Sequence, residues 1–223
     1  LDAQRGAIVE VNAGPGLLMH LKPETGKPRP VGRAIVDELF PDGDDGRIPI
    51  VGISGSSGKT IVARLVARLL NLAGKRTGLA CSDGVYVDRR CIAPENGANW
   101  ESAHRILMNR GVDAAVFENG TDTILDEGLA YDRCLVGVVT NVDAARHFGR
   151  HDIETAEQVF TVLRTQVDLV LPSGAAVLNA SQPMLVEMAP LCDGEVIFFA
   201  IDPSLPALVE HRAQGRRAVF VRD

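Results

Sequence analysis

Ile50-Val-Gly-Ile-Ser-Gly-Ser-Ser-Gly-Lys-Thr60 is the stretch that decides the fold of this 223-residue chain. An apolar run breaks into a glycine-rich loop, and the closing Lys-Thr pair opens a helix. Backbone amides around Gly55 and Gly58 can form an anion nest only where no side chain intrudes, and a helix N-terminus presents positive partial charge to the same anion. The pattern predicts a phosphate-binding loop made by Gly55, Ser56, Ser57, Gly58, Lys59, Thr60 and Ile61. Lys59 is expected at the terminal phosphates and the Thr60 hydroxyl at Mg2+. The usual GxxxxGK[ST] spacing is broken, because Ile53 stands where its first glycine belongs.

Working outward, Ile48–Ile53 reads as a strand, and Ile61, Leu65, Val66, Leu69 and Leu70 repeat at helical spacing as far as Gly74, a C-cap candidate. Further strands are expected at Thr77–Cys81, Ala114–Phe117, Leu135–Thr140, Leu169–Leu171 and Val196–Ala200, with helices at Thr60–Ala73, Trp100–Arg110 and Ile153–Val167. Ala175–Leu178 and Ala218–Val221 read as short strands, with antiparallel pairing near the sheet edge left open. The alternation predicts an α/β fold, a doubly wound and mostly parallel sheet.

In such a sheet the ligand lies at the carboxyl ends of the strands. Val112-Asp-Ala-Ala-Val-Phe-Glu118 ends in a carboxylate, which makes Glu118 the leading Mg2+ ligand. The next strand leads through Thr140-Asn-Val-Asp143 to His147, a second candidate near the same edge. A lone histidine is more often structural or solvated, and His151 shares that blander explanation.

Composition excludes several function classes. With 46% hydrophobic residues, 23% charged residues and a net charge of −6, the chain buries a sizeable core and carries no massed basic patch for nucleic acid. No apolar run approaches the roughly twenty residues needed to span a bilayer. Cys81, Cys91, Cys134 and Cys192 lie far apart without metal-ligand spacing, as reduced thiols of a cytoplasmic enzyme would. Residue 1 is Leu, and the strand-like Gly6–Asn12 lacks partner strands nearby, so the chain reads as a piece of a longer protein. The Gly- and Pro-rich tract from Lys22 to Arg33 and a short helix at Ala34–Phe40 follow, and then Pro41-Asp-Gly-Asp-Asp-Gly46, the linker candidate.

Together these residues resemble the central ATPase domain of the Mur ligase superfamily, where GTNGKT is followed by a metal-binding Glu, TNI with DH, and LNADD. The nearer resemblance is to the cyanophycin synthetase family, carried by Val9-Glu-Val-Asn-Ala-Gly-Pro-Gly16, Arg47-Ile-Pro-Ile-Val51, Asp83-Gly84, Asp126-Glu-Gly-Leu-Ala-Tyr-Asp-Arg-Cys134 and Glu195-Val-Ile-Phe-Phe199. The resemblance implies the end of an ATP-grasp domain at 1–40, a linker at 41–47 and a Mur-like ATP-binding domain at 48–223. It implies Glu10 and Asn12 as Mg2+ ligands of the ATP-grasp site, Asn179 facing adenine, and Thr60, Glu118 and His147 placing metal in the Mur-like site, with Lys59 and His147 serving the chemistry.

The implied activity is ATP-dependent amide-bond formation through an acyl phosphate, with ATP and Mg2+ as cofactors. The implied partners are an Asp-rich polypeptide or other Asp-containing acceptor and an Arg-like amino acid, in a full-length homo-oligomer. Departures from the family lie in Ser56-Ser57 for TN, Glu118-Asn-Gly-Thr-Asp-Thr123 for ETARGG, Arg146 before His147, and Asn179-Ala-Ser-Gln182 for NADD. No lysine follows Lys75, although several Mur ligases carry a carbamylated lysine at the second metal. Two other readings stand beside the ligase: a degenerate Mur-like module that binds nucleotide or mediates assembly, and an unrelated P-loop kinase or NTPase.

Overall fold

The computed structural model describes residues 11–222. The chain divides into two compact units, residues 1–47 and 48–223. In the first, two short helices, α1 (Leu18–Leu21) and α2 (Val31–Leu39), precede a 3-10 turn at Pro41–Gly43. The acidic tract after it closes two Asx turns, with Asp44 Oδ1 accepting from the Gly46 amide and Asp45 Oδ1 from the Arg47 amide, each at 2.9 Å.

The second unit is a nine-stranded sheet. Its strands are β1 (Ile50–Ser54), β2 (Thr77–Cys81), β3 (Gly84–Val87), β4 (Arg90–Ala93), β5 (Ala114–Glu118), β6 (Cys134–Val139), β7 (Val170–Asn179), β8 (Glu195–Ala200) and β9 (Ala218–Phe220). Their order is β4-β3-β2-β5-β1-β6-β7-β8-β9. Strand β1 therefore lies centrally, parallel to β5 on one side and β6 on the other. That position brings the carboxyl ends of three strands beside the loop that leaves β1.

Alternate residues of β5 feed opposite faces of the sheet. Val116 joins the cluster packed under helix α3 (Lys59–Leu72), while Ala115 and Phe117 join a larger core. That core takes Ile106 from α4 (Trp100–Leu107), Leu163 from α6 (Ala156–Asp168), Leu185 from α7 (Pro183–Val186) and Leu208 from α8 (Pro206–Ala213). A further short helix, α5 (Thr121–Asp126), follows β5 directly.

The structure departs from several sequence expectations. Strand β9 pairs parallel with β8, and Ala175–Leu178 belongs to one long strand, β7, that runs parallel to β6 and β8. Antiparallel pairing occurs at the opposite edge, where β2, β3 and β4 form a meander. That edge went unread because Asp83-Gly84 supplies a tight turn between runs too short for a visible period. Helix α3 is also rotated from the expected face. Ala63 and Ala67 are buried, flanked by Val62, Val66 and Leu70, whereas Ile61, Leu65 and Leu69 are exposed. Alanine lets the helix axis approach the sheet closely, so the bulkier residues need not be the ones inside. Helix α3 does end as read, with Gly74 at φ +81 and the Lys75 amide returning to the Leu70 carbonyl.

Candidate functional site

The loop between β1 and α3 is anchored by the end of β6. Thr140 Oγ1 donates to the Ser57 carbonyl at 2.7 Å and lies 3.2 Å from the Ser54 carbonyl. Asn141 completes the clamp: its backbone carbonyl accepts from the Ser56 amide, its Oδ1 accepts from the Ser57 amide, and its Nδ2 donates to Ser57 Oγ at 2.9 Å. Gly55, at φ +128, sits where a Cβ would collide with Thr140 Oγ1 and come within 2.9 Å of the Asn141 carbonyl oxygen. Only glycine fits there.

This clamp sharpens the expected nest. The amides of Ser56 and Ser57 face Asn141, so the donors left for an anion are those at the start of α3, beginning with Lys59 and Thr60, which have no intrahelical acceptor. Gly58 caps that helix at φ +79. Lys59 forms no ion pair among the described residues. Ile61, placed in the loop by the sequence pattern, points outward at 68% exposure.

Glu118 ends β5 and is buried. Its Oε1 accepts from Thr60 Oγ1 at 3.1 Å and from Ser82 Oγ at 2.9 Å, and its Oε2 accepts from the Ser82 amide at 2.8 Å. The carboxylate expected beside the phosphate loop is therefore in direct contact with the threonine expected to share its cation. Ser82, the residue after β2, was not anticipated; its position before the Asp83-Gly84 turn was the available signal.

These hard oxygen donors at a helix start suit Mg2+, which keeps most of its ligands as water and phosphate oxygens. Among the described residues no three His, Cys, Asp or Glu side chains converge as a ready-made metal cage. Thr60 and Glu118 would hold the ion only together with its own waters and a bound phosphate.

His147 follows a 3-10 turn at Ala144–Arg146, and its Nε2 lies 2.8 Å from Ser56 Oγ. The same hydroxyl accepts from the Asp143 amide at 2.8 Å. Partial burial of the ring, reinforced by the Lys59 and Arg146 charges, lowers the His147 pKa from its ordinary value, although Asp122 and Asp143 oppose the shift. The two serines that replace TN thus fasten the loop to the 141–147 segment.

Asn179, expected at adenine, donates from Nδ2 to the Thr140 carbonyl at 3.1 Å and accepts from the Ser181 amide. Its side chain ties the end of β7 to the end of β6. Gln182, in place of the family's acid, spans the Val142 backbone, accepting from its amide at 2.6 Å and donating to its carbonyl at 3.2 Å.

Beneath the loop lies a buried polar cluster that sequence reasoning missed. Gln166 of α6 accepts at Oε1 from Ser54 Oγ, from Asn119 Nδ2 at 2.8 Å and from the Tyr131 hydroxyl at 3.0 Å. Asn119 also donates to the Tyr131 hydroxyl. Burial pushes the Tyr131 pKa upward and lifts the neighbouring Cys134 thiol to about 12. Both stay protonated and inert.

In the divergent segment after Glu118, Asp122 pairs with Arg150 at 2.9 Å and with His151 at 3.2 Å, and His151 also reaches Asp126. The acid that replaces part of the family motif is therefore already neutralised by the loop opposite. Glu10 lies outside the described residues, and Asn12 is exposed.

Comparison with known proteins follows the same lines. The family model described as the Mur ligase middle domain matches residues 53–218. Cyanophycin synthetase from Synechocystis sp. is 42% identical over 99% of this chain, which spans 25% of that relative's length. A solved UDP-N-acetylmuramoyl-L-alanyl-D-glutamate–2,6-diaminopimelate ligase superposes with a TM-score of 0.60 at 16% identity, covering 77% of this chain and 35% of that one. The MurF ligase from Thermotoga maritima in complex with ADP gives 0.50 at 21% identity, covering 73% and 34%. Among the described residues no helix is long and apolar enough to cross a membrane. With the model match covering the loop, the helix it opens and the strand-end acid alike, the chain belongs to the Mur ligase family through its middle domain.

Proposed function

We propose that this chain is the nucleotide-binding part of an ATP-dependent carbon–nitrogen ligase of cyanophycin synthetase type. The observation that carries the reading is the contact between Thr60 Oγ1 and Glu118 Oε1 at the mouth of a clamped phosphate loop. In the proposed reaction the γ-phosphoryl of ATP passes to a carboxylate oxygen, giving an acyl phosphate and ADP. An amine nitrogen then attacks the acyl carbon; the C–N bond forms, the C–O bond to phosphate breaks, and the amine proton passes to solvent. The proposed acceptor is an Asp side-chain carboxylate in an Asp-rich polypeptide, and the proposed donor is Arg or a related amino acid.

Lys59 and the first amides of α3 would neutralise and orient the transferring phosphoryl group. Mg2+, when bound, would shield the charge on the phosphates, and Thr60 with Glu118 would hold it. His147 is the proposed ligand for a second cation, and binding there requires Nε2 to exchange Ser56 for the metal. Asn179 would reach adenine by way of the β6–β7 junction it stabilises. The segment at 1–40 is proposed as the end of an ATP-grasp domain, with Glu10 and Asn12 serving its own Mg2+, and residues 41–47 as the linker. The full-length protein is proposed to be a cytoplasmic homo-oligomer.

One observation favours a second reading, a nucleotide-binding module without ligase turnover. Asp122, paired with Arg150 and His151, occupies the region where the family has an arginine, and so withdraws positive charge from the proposed carboxylate pocket.

Two measurements test these readings. Calorimetry of this chain with Mg-ATP should show binding that Lys59→Ala weakens about 10- to 100-fold, the worth of one charge-assisted contact. Indistinguishable titrations would remove the loop from the proposal. For turnover, the full-length protein with Asp-containing acceptors and Arg, Lys or dipeptide amines should release ADP and phosphate. Tight ATP binding without release under any combination favours the second reading.

A further inference from the structure

A second concavity lies at the opposite ends of the strands from the phosphate loop. It sits between the start of β2, the β3–β4 hairpin and α4, with a volume of about 590 Å3. Because β1, β2 and β5 run parallel, the start of β2 and the end of β1 are separated by roughly the length of a five-residue strand, about 16 Å. The concavity is therefore distinct from the nucleotide site.

Its floor is apolar, built from Val87, Ile92 and Ile106, and its rim carries Arg76, Arg90 and Arg105. Three arginines against one acid, Asp88, leave the lining at net +2 in a chain of net −6. Each guanidinium comes from a separate element: Arg76 precedes β2, Arg90 opens β4, and Arg105 lies in the last turn of α4.

Among the described residues none of these three pairs with a carboxylate. Six other arginines, at positions 64, 133, 146, 150, 164 and 217, each do. The acid beside Arg76, Asp113, spends its Oδ2 on the Arg76 backbone amide at 2.9 Å. Three like charges lining one hollow raise the local potential for an anion, which can draw on all three at once.

The chemistry narrows the ligand. Planar guanidinium forks match carboxylates in bidentate pairs, and forks carried by three separate elements suit several carboxylates rather than one compact anion. The lining contains no glycine-rich loop or helix start of the kind that cradles phosphate. We infer that this cleft is a second, separate anion site, which binds a ligand presenting two or more carboxylates along a short apolar skeleton. An acidic peptide segment and a free dicarboxylic acid both satisfy that chemistry. The assignment does not depend on the ligase reading.

The test is calorimetry on this chain at low salt with two probes, tetra-aspartate and succinate. The variants are a triple Arg76→Gln/Arg90→Gln/Arg105→Gln and a charge-matched control, Arg68→Gln/Arg212→Gln/Arg216→Gln. At least one probe should bind the unaltered chain, about tenfold or more weaker in the cleft variant and unchanged in the control. Tighter binding of the peptide identifies a polypeptide ligand, and equal affinity per carboxylate pair identifies a small acid. Lys59→Ala should leave both titrations untouched while weakening the nucleotide titration, which separates the two sites. If the triple variant melts early, Arg105→Gln alone replaces it, with a loss of about threefold expected. The inference is overturned by absence of binding to either probe at about 10 mM, or by equal weakening in the control.

Discussion

The two sides of the candidate site are held by different physics. On one side the phosphate loop is gripped by Thr140, Asn141 and the buried Gln166 cluster, through hydrogen bonds to backbone or among groups sealed from water. On the other, the 143–153 segment that carries His147 is tied by the Ser56 hydroxyl, by the buried Ile153 and, between them, by exposed contacts of Arg150 and His151 with Asp122. Buried donors left without partners cost about 1–3 kcal/mol each, whereas exposed ion pairs contribute about 0–1 kcal/mol. The cradle is therefore a fixed part of the fold, and the turn around His147 is the more adjustable of the two sides. The proposed ligase site, which would accept ATP and then admit a second substrate, would benefit from that division.

The fixed side is most vulnerable at Gly55. Gly55→Ala forces a Cβ into Thr140 and Asn141 at a backbone angle that L-residues rarely adopt. Strain of about 1–3 kcal/mol and a packing cost of similar size should together remove about 4 kcal/mol. Urea unfolding measures it, and ATP binding should disappear with it. A Gly55→Ala protein with unchanged midpoint and affinity would show that the cradle yields, contrary to the geometry.

Next in size is Gln166→Leu. The substitution keeps volume but removes the acceptor shared by Ser54, Asn119 and Tyr131, and should cost about 3 kcal/mol. Tyr131→Phe, which deletes a donor together with its need, should cost less. If the order of these two variants were reversed, the cluster would be organised around the tyrosine and not the glutamine.

That cluster also marks where sequence reading stopped. The strand, loop and helix at 48–74 were legible because glycine positions and a helical period are local signals. Glu118 was legible because it ends a strand next to that loop. Gln166, Tyr131 and Ser82 were not, since a buried hydrogen bond joins residues that are far apart in sequence and leaves no period. The outward face of α3 misled for a related reason: Ile61, Leu65 and Leu69 obey the helical period, but Ala63 and Ala67 obey it too, and packing distance chose the smaller pair. The β3–β4 meander, only four residues per strand, gave too few positions for alternation to show.

A smaller effect should appear in the pH dependence of the adjustable side. His147 is held below its ordinary value of 6.5, so the folded state resists protonation more than the unfolded chain does. The sign follows: its contribution is complete above pH 6.5 and is lost as pH falls through the lower folded value. Ring-proton NMR should place the midpoint below 6.5, and stability should drop less between pH 7.5 and 5.5 in His147→Gln than in the parent. Equal losses would assign the pH response to other groups.

The smallest effect, and the most direct test of the division, is Asp122→Asn. This change removes the carboxylate that pairs with both Arg150 and His151 while keeping the shape of α5. Both partners are solvent-accessible, so the loss should be under about 1 kcal/mol and should shrink further in high salt. If the 143–153 segment is fastened by these pairs alone, its amides should exchange faster with solvent while those of β1 and β5 keep their protection. A stability loss comparable to that of Gln166→Leu, or faster exchange spreading into β1, would mean that the two sides form one cooperative unit. The neutral side chain also stops cancelling the Arg150 charge. A tighter response to acidic acceptors in Asp122→Asn would then identify Asp122 as the residue that limits the carboxylate pocket.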